Sequence, residues 1–305
     1  MSSPARSLPE GPVTRAIKPS FWESVSFSKA LSKVVIYVIL FALTILFMGP
    51  FAFAVTTSFK APEEIFIFPP KWIPEVWRFR NYYDAMTQAP FDLFFTNTLI
   101  ITALGMTGQI VSSALVAYGF ARFQFPGRNA LFMLVISTLI LPEEVTIIST
   151  FLMFRQVGWL DTWIPLIVPA FFGGGAFSIF LFRQFFMSLP KDMDEAAEID
   201  GASSLRVLWS IILPLSKPAI ATLAIFAFLG RWNDFFHPLI YLNTTEKFTV
   251  SLGLRFYQQT VGYGGPAMQH LLMAAAITAT LPIVVIFFIF QKQFVRGIVL
   301  SGIKG

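Results

Sequence analysis

Cysteine is missing from all 305 residues, which excludes disulfides, thiolate catalysis and cysteine metal sites and leaves the redox compartment open. The two histidines, His237 and His270, are too few for a histidine-rich metal site. Charge is scarce as well: 13% of residues are Asp, Glu, Lys or Arg, against about 25% in a soluble domain. Much of the surface must therefore face something other than water. No G-x-x-x-x-G-K-S/T phosphate loop occurs, so the chain itself is not expected to bind ATP. No H-E-x-x-H motif or nucleophile–base arrangement stands out, and no cofactor or metal is expected on this chain. The net charge of +5 does not come from a basic cluster, so it points to membrane topology rather than nucleic acid.

Apolar sequence is abundant, at 55% of residues. A bilayer core about 30 Å thick is crossed by roughly 20 apolar residues in a helix. Six runs qualify: Val34–Thr56, Phe95–Gly119, Leu131–Phe154, Trp163–Phe182, Pro218–Leu242 and Leu271–Phe290. One such run could be a buried helix of a soluble protein; six in one chain predict an all-α polytopic membrane protein. Residues 1–33 form a polar, basic N-terminal segment, 34–294 the six-helix transmembrane domain, and 295–305 a C-terminal tail. The first apolar run is too long for a cleaved signal and reads as a retained span.

An even number of spans puts both termini on one side. With the N-terminus inside, fourteen of the 22 Lys and Arg residues fall in internal segments, so both termini are expected in the cytoplasm. External loops then run from about Ser58 to Phe94, rich in proline and tryptophan, and from about Asn243 to His270. The long internal loop lies between Arg183 and Lys217.

Residues 189–218 of that loop read LPKDMDEAAEIDGASSLRVLWSIILPLSKP. Asp192, Asp194, Glu195 and Glu198 crowd the early turns of a first short helix, where negative charge suits the helix dipole. Gly201 is placed to end it in a left-handed cap. A second helix, about Ser203–Leu213, sets Leu205, Leu208, Trp209 and Ile212 at helical spacing. Pro214 and Pro218 break the chain before the fifth span. By periodicity alone, an amphipathic helix lying on the membrane surface fits equally well.

Glu195-Ala196-Ala197, Gly201, and then Ile211, Leu213 and Pro214 resemble the signature loop of binding-protein-dependent ABC importer permeases. That signature is an EAA triplet, a glycine four residues on, and an I-x-L-P ending. Further similarity spans most of the chain. It includes Thr57-Ser58-Phe59-Lys60, Asn81-Tyr82, Ala117-Tyr118-Gly119-Phe120-Ala121-Arg122, Trp232-Asn233-Asp234-Phe235, Pro238-Leu239 and Phe294-Val295-Arg296-Gly297 with a Lys304-Gly305 end. These look like the carbohydrate branch, and most like the maltose-type second permease. Ile148-Ser149-Thr150 and Tyr263-Gly264-Gly265 depart from its pattern.

The resemblance implies a cytoplasmic-membrane permease subunit of a bacterial or archaeal importer for a sugar or sugar derivative. Glu195, Ala196, Ala197, Asp200, Gly201, Leu213 and Pro214 would form a coupling helix docked on an ATPase. Lys304 and Gly305 would reach between two ATPase subunits, which carry the ATP and magnesium. A second permease and an extracytoplasmic solute-binding protein would complete the assembly.

Ionisable residues within spans are costly and face a cavity or a partner. Glu143 and Glu144 in the third span, and Arg231, Trp232, Asn233 and Asp234 in the fifth, are therefore candidates for a translocation path. A purely structural ion pair, or an interfacial Arg231 with the fifth span ending near Gly230, fits the same residues. Gly173-Gly174-Gly175 permits close helix packing or a hinge. Alternatives for the whole chain are an ABC permease for amino acids or peptides, an ion-driven transporter, and an intramembrane enzyme using Glu143 and Glu144.

Overall fold

The computed structural model describes residues 25–255, 257–258 and 268–302, with the side chains of 25–28, 143–144 and 292–302 excepted. Among these residues every regular element is helical. The chain divides into two compact units, residues 1–53 and 54–305. Helix α1 (Val25–Ser58) begins in the first unit and ends in the second. Its apolar stretch Lys29–Ser58 has no buried residue in its span window, and the surface it presents, Tyr37, Phe41, Leu46 and Phe47 among others, is exposed. A helix satisfies its own backbone polar groups, so such an apolar cylinder is stable in lipid.

In the second unit the segment after α1 is ordered by a knot of two distant motifs. The Asn81 side chain, at the start of α2 (Arg80–Thr87), donates to the carbonyls of Ser58 and Lys60, each at 2.9 Å. Ser58 Oγ meets Tyr82 Oη at 2.9 Å, and Phe59 packs against Trp77, Phe79 and Tyr82. Lys60 is only 2% exposed and donates its ammonium to the Lys71 carbonyl at 2.6 Å.

Helix α3 (Phe91–Arg122) is the hub. Its buried residues recur at helical spacing and turn small toward the middle: Gly105, Gly108, Ser112, Ser113, Ala114 and Ala117. Small side chains let neighbouring helices approach closely where lipid offers no hydrophobic drive for association. Gly174 exploits this: a Cβ there would stand 2.3 Å from the Gln109 carbonyl, and its φ of +67° is left-handed. Gly174 thus serves close packing, while a Cβ at Gly173 or Gly175 would meet nothing within 4 Å; the triplet breaks the chain between the helical turns Ile164–Ile167 (α6) and Val168–Phe171 and helix α7 (Ala176–Ser188).

Among the described residues four stretches are long and apolar enough to cross a membrane unaided: Lys29–Ser58, Phe91–Arg122, Ile164–Ser188 and Gln269–Gln291; the number rises to six if each of two bent pairs is one span. The expected third span is one of these pairs. Helix α4 (Arg128–Ser137) runs through a short turn to Ile140, and α5 (Glu143–Gln156) leaves at 102°. Pro142, which lacks an amide hydrogen, sits at the break. The other pair bends by 81° at Ser216, where the loop before the fifth span meets helix α11 (Lys217–Trp232). At 16 residues, α11 is about 24 Å long, short of a full crossing. The expected run to Leu242 is instead broken at Asn233–Phe235 and resumes as α12 (Phe236–Tyr241). The last span is the N-terminal part of α14 (Gln269–Gly302), reached through the short helix α13 (Val250–Gly253).

Candidate functional site: an internal loop and a transmembrane cavity

The loop at 189–218 folds into two short helices around a glycine, as its sequence predicts. Helix α8 (Asp192–Ile199) has Asp192, Asp194 and Glu195 in its first turn. Its end is a Schellman motif: Ala202 N–H donates to the Ala197 carbonyl at 2.9 Å and Gly201 N–H to the Glu198 carbonyl at 3.0 Å. Gly201 has φ +80°, the left-handed value that glycine adopts without penalty. The Ser203 side chain caps α9 (Ser204–Val207) by accepting from Arg206 N–H. A π-helical turn, Leu208–Ile212, follows, and then α10 (Leu213–Leu215).

That π turn splits the expected apolar face. Val207, Leu208 and Ile212 are fully buried in a cluster with Phe182, Phe186 and Leu223, whereas Leu205 and Trp209 are 60% and 50% exposed. The face therefore does not pack as one stripe; half anchors the loop to the bundle and half is displayed. Ile199, 86% exposed, adds to the displayed part. Glu195, Ala196, Asp200, Gly201 and Pro214 are exposed beside it, Ala197 is half-buried, and Leu213 is buried.

Sequence reading passed over Asp194 and Arg122 as partners. Arg122, the last residue of α3, lies with Nε 2.6 Å from Asp194 Oδ2, both side chains nearly buried. It also donates from Nη1 and Nη2 to the Leu189 carbonyl at 3.3 Å. Burial pushes the Asp194 carboxyl above the ordinary carboxylate range, against the opposing pull of Arg122. The available signal was an arginine ending an alanine-rich span and an aspartate in an acidic helix, with nothing in the spacing to join them.

Within the membrane-spanning part a cavity of 530 Å³ is lined by Gln109, Leu166, Phe177, Phe226, Arg231 and Asp234, among others. Arg231, in the last turn of α11, donates to the Leu166 carbonyl at 2.9 Å and to Gln109 Oε1 at 3.4 Å. Asp234 accepts from His237 N–H at 3.2 Å and meets its Nδ1 at 2.9 Å. The neighbours Trp232 and Asn233 lie elsewhere. Trp232 is 4% exposed, stacks on Phe228 and donates to the Ala279 carbonyl at 3.1 Å, tying α11 to α14. Asn233 is exposed and returns its amide to the Leu229 carbonyl. Glu143 and Glu144 begin α5, with side chains outside the described residues, as are Lys304 and Gly305. Gln109 and His237, which complete the polar side of the cavity, escaped sequence reading because one is neutral and the other lies beyond the helix break.

Residues 109–300, which hold both the loop and the cavity, match the family described as binding-protein-dependent transport system inner membrane component. The chain belongs to that family. It is a multi-pass permease, and its curated relatives cover most of it. LplC of Bacillus subtilis is 33% identical over 279 residues, 87% of this chain and 90% of its own. The sn-glycerol-3-phosphate transport system permease protein UgpE of Yersinia pestis is 36% identical over 243 residues, 79% of this permease and 84% of that one. The diacetylchitobiose uptake system permease protein NgcG of Streptomyces coelicolor is 31% identical, with 85% and 84% covered. Among solved structures, a bacterial ABC transporter involved in the import of the acidic polysaccharide alginate shares the fold. Its TM-score is 0.77 at 23% identity, over 90% of this permease and 99% of that chain.

Proposed function

We propose that the permease is one of two transmembrane subunits of an ATP-driven importer that carries a sugar or sugar derivative across the cytoplasmic membrane. Its partners are a second permease, two ATPase subunits that bind ATP and magnesium, and an external solute-binding protein. Both termini face the cytoplasm. The relatives' names support the substrate class, since two of them serve transport or uptake of sn-glycerol-3-phosphate and diacetylchitobiose. A solved transporter of the same fold is in complex with a pentasaccharide-bound periplasmic protein, which supports the binding-protein partner.

The internal loop carries this reading. Glu195, Ala196, Asp200 and Gly201 are exposed next to Ile199, Leu205 and Trp209, while Leu213 and its buried neighbours root the loop in the bundle. An exposed apolar patch rimmed by charge suits a protein partner, and small alanines admit its close approach. In this reading Glu195, Ala196, Ala197, Asp200, Gly201, Leu213 and Pro214 couple to the ATPase, and Lys304 and Gly305 extend toward it. Arg231 and Asp234 line the translocation path, and Glu143 and Glu144, at the bend of the third span, are further candidates for it.

The test is reconstitution. Co-expressed with its partners, the permease should purify as a complex with two ATPase chains whose hydrolysis rises with sugar-loaded binding protein. Hydrolysis by the permease alone, or sugar uptake without any ATPase, would overturn the reading.

A further inference from the structure

We propose that the cavity is a subsite for an anionic sugar derivative, which sets a carboxylate or phosphate on the Arg231 guanidinium and its ring against Phe177 and Phe226. This rests on the permease reading and adds the charge class of the substrate.

The cavity's 530 Å³ falls within the range of about 300–1,000 Å³ usual for small-ligand sites. Its wall is divided. Phe177 and Phe226 meet edge to face at 5.9 Å, and with Leu223 and Ala227 they form an apolar side that suits the C–H face of a sugar ring. Gln109, Arg231, Asp234 and His237 form the polar side.

The chemistry of Arg231 sets the sign of the ligand. A guanidinium has five N–H donors. One on Nη1 goes to the Leu166 carbonyl and one on Nη2 to Gln109 Oε1. Nε is buried without a hydrogen-bond partner, packed against α3, where a Cβ on Gly105 would stand 3.0 Å from it. One N–H therefore remains on each Nη, and these are the charged donors left to a carboxylate or phosphate.

Both hydrogen-bond acceptors of Arg231 are neutral oxygens, and Asp234 acts on it through space without an ion-pair contact. Among the described residues no carboxylate lies within 4.0 Å of it, and Asp234 is engaged by the backbone and ring of His237. A cation at membrane depth is costly unless it is paired. Low-dielectric walls focus its potential into the cavity. A ligand anion supplies the missing partner; a neutral sugar does not.

The experiment uses the absence of cysteine from this chain. Gly230 lines the cavity, and a Cβ there meets no atom within 4 Å. Gly230→Cys in the assembled transporter is reacted with methanethiosulfonates of opposite charge, one sulfonatoethyl and one trimethylammonium-ethyl. The anionic reagent should react roughly ten-fold faster after correction for intrinsic reactivity. Arg231→Gln should abolish that preference, Arg231→Lys should keep it and Asp234→Asn should enlarge it. Galacturonate and glucose 6-phosphate at high millimolar concentration should slow labelling where galactose and glucose do not.

Equal or cation-favoured labelling, a preference that survives Arg231→Gln, or equal or absent protection by acidic and neutral sugars overturns the subsite. If Arg231→Gln does not assemble, the Lys and Asn variants decide. ATP hydrolysis stimulated by the binding protein, measured on the same preparations, shows separately whether the permease reading stands.

Discussion

Arg122 Nε and Asp194 Oδ2 lie 2.6 Å apart in a nearly buried ion pair between the end of α3 and the first turn of α8. The pair joins the end of α3 to the displayed loop. Removing one partner of a buried pair costs about 3–5 kcal/mol, much of it the stranded charge. Arg122→Ala and Asp194→Ala should each lower the unfolding midpoint of the detergent-solubilised complex. The double variant should lose less than the sum. Strict additivity in that cycle would mean the pair does not act as a unit.

Gly201→Asp should abolish transport at normal membrane levels. Its φ of +80° makes any side chain strained, by about 1 kcal/mol, yet a Cβ there meets nothing within the chain. The loss must then come from the surface that docks on this loop. Glu195→Ala should weaken ATPase association by roughly ten-fold, about 1.4 kcal/mol for a half-exposed contact. Wild-type uptake by Gly201→Asp would leave the loop as a surface helix only.

Asp161, just before α6, clamps its own loop to the segment after α12. Its carboxylate accepts from Thr244 Oγ1 and from the N–H groups of Thr244 and Asn243, and Lys247 Nζ lies at 3.0 Å. These bonds, Thr244 foremost, hold its pKa well below the ordinary carboxylate range. A depressed folded pKa stabilises above the unfolded value, about 3.9, and the stabilisation is lost as pH falls through the folded value. Asp161→Asn tolerates the left-handed φ of +54°, so it removes the charge and one acceptor without backbone strain. The variant should melt a few degrees lower at pH 7, and the gap should narrow as pH drops below about 4. A gap constant with pH would mean the carboxylate charge contributes nothing.

Trp232→Ala should destabilise by about 3–5 kcal/mol, because it empties a packed site between α11 and α14. Trp232→Phe keeps most of the volume and strands the Ala279 carbonyl, costing about 1 kcal/mol. Transport by Trp232→Phe should stay near wild type. A selective loss of uptake with unchanged melting would instead mean that Trp232 touches substrate.

Hydropathy alone determined the class of this protein. Water cannot solvate six long apolar runs, and only a helix satisfies its own backbone in lipid, so the all-α membrane architecture was legible in composition and run length. The left-handed end of α8 was equally local, since Gly201 follows an acidic helix where a cap residue without Cβ is favoured. Side-chain partnership was not local. Whether Arg231 faces a cavity while Trp232, one residue on, fills a helix interface depends on where α3 and α14 pass. The pairing of Arg122 with Asp194 closes over a sequence separation of 72. Leu205 and Trp209 stay exposed while Leu208 and Ile212 are buried, although periodicity puts all four on one face. Periodicity states which residues share a side of one helix; only the packing of several helices against each other decides which of those sides meets protein, cavity or partner.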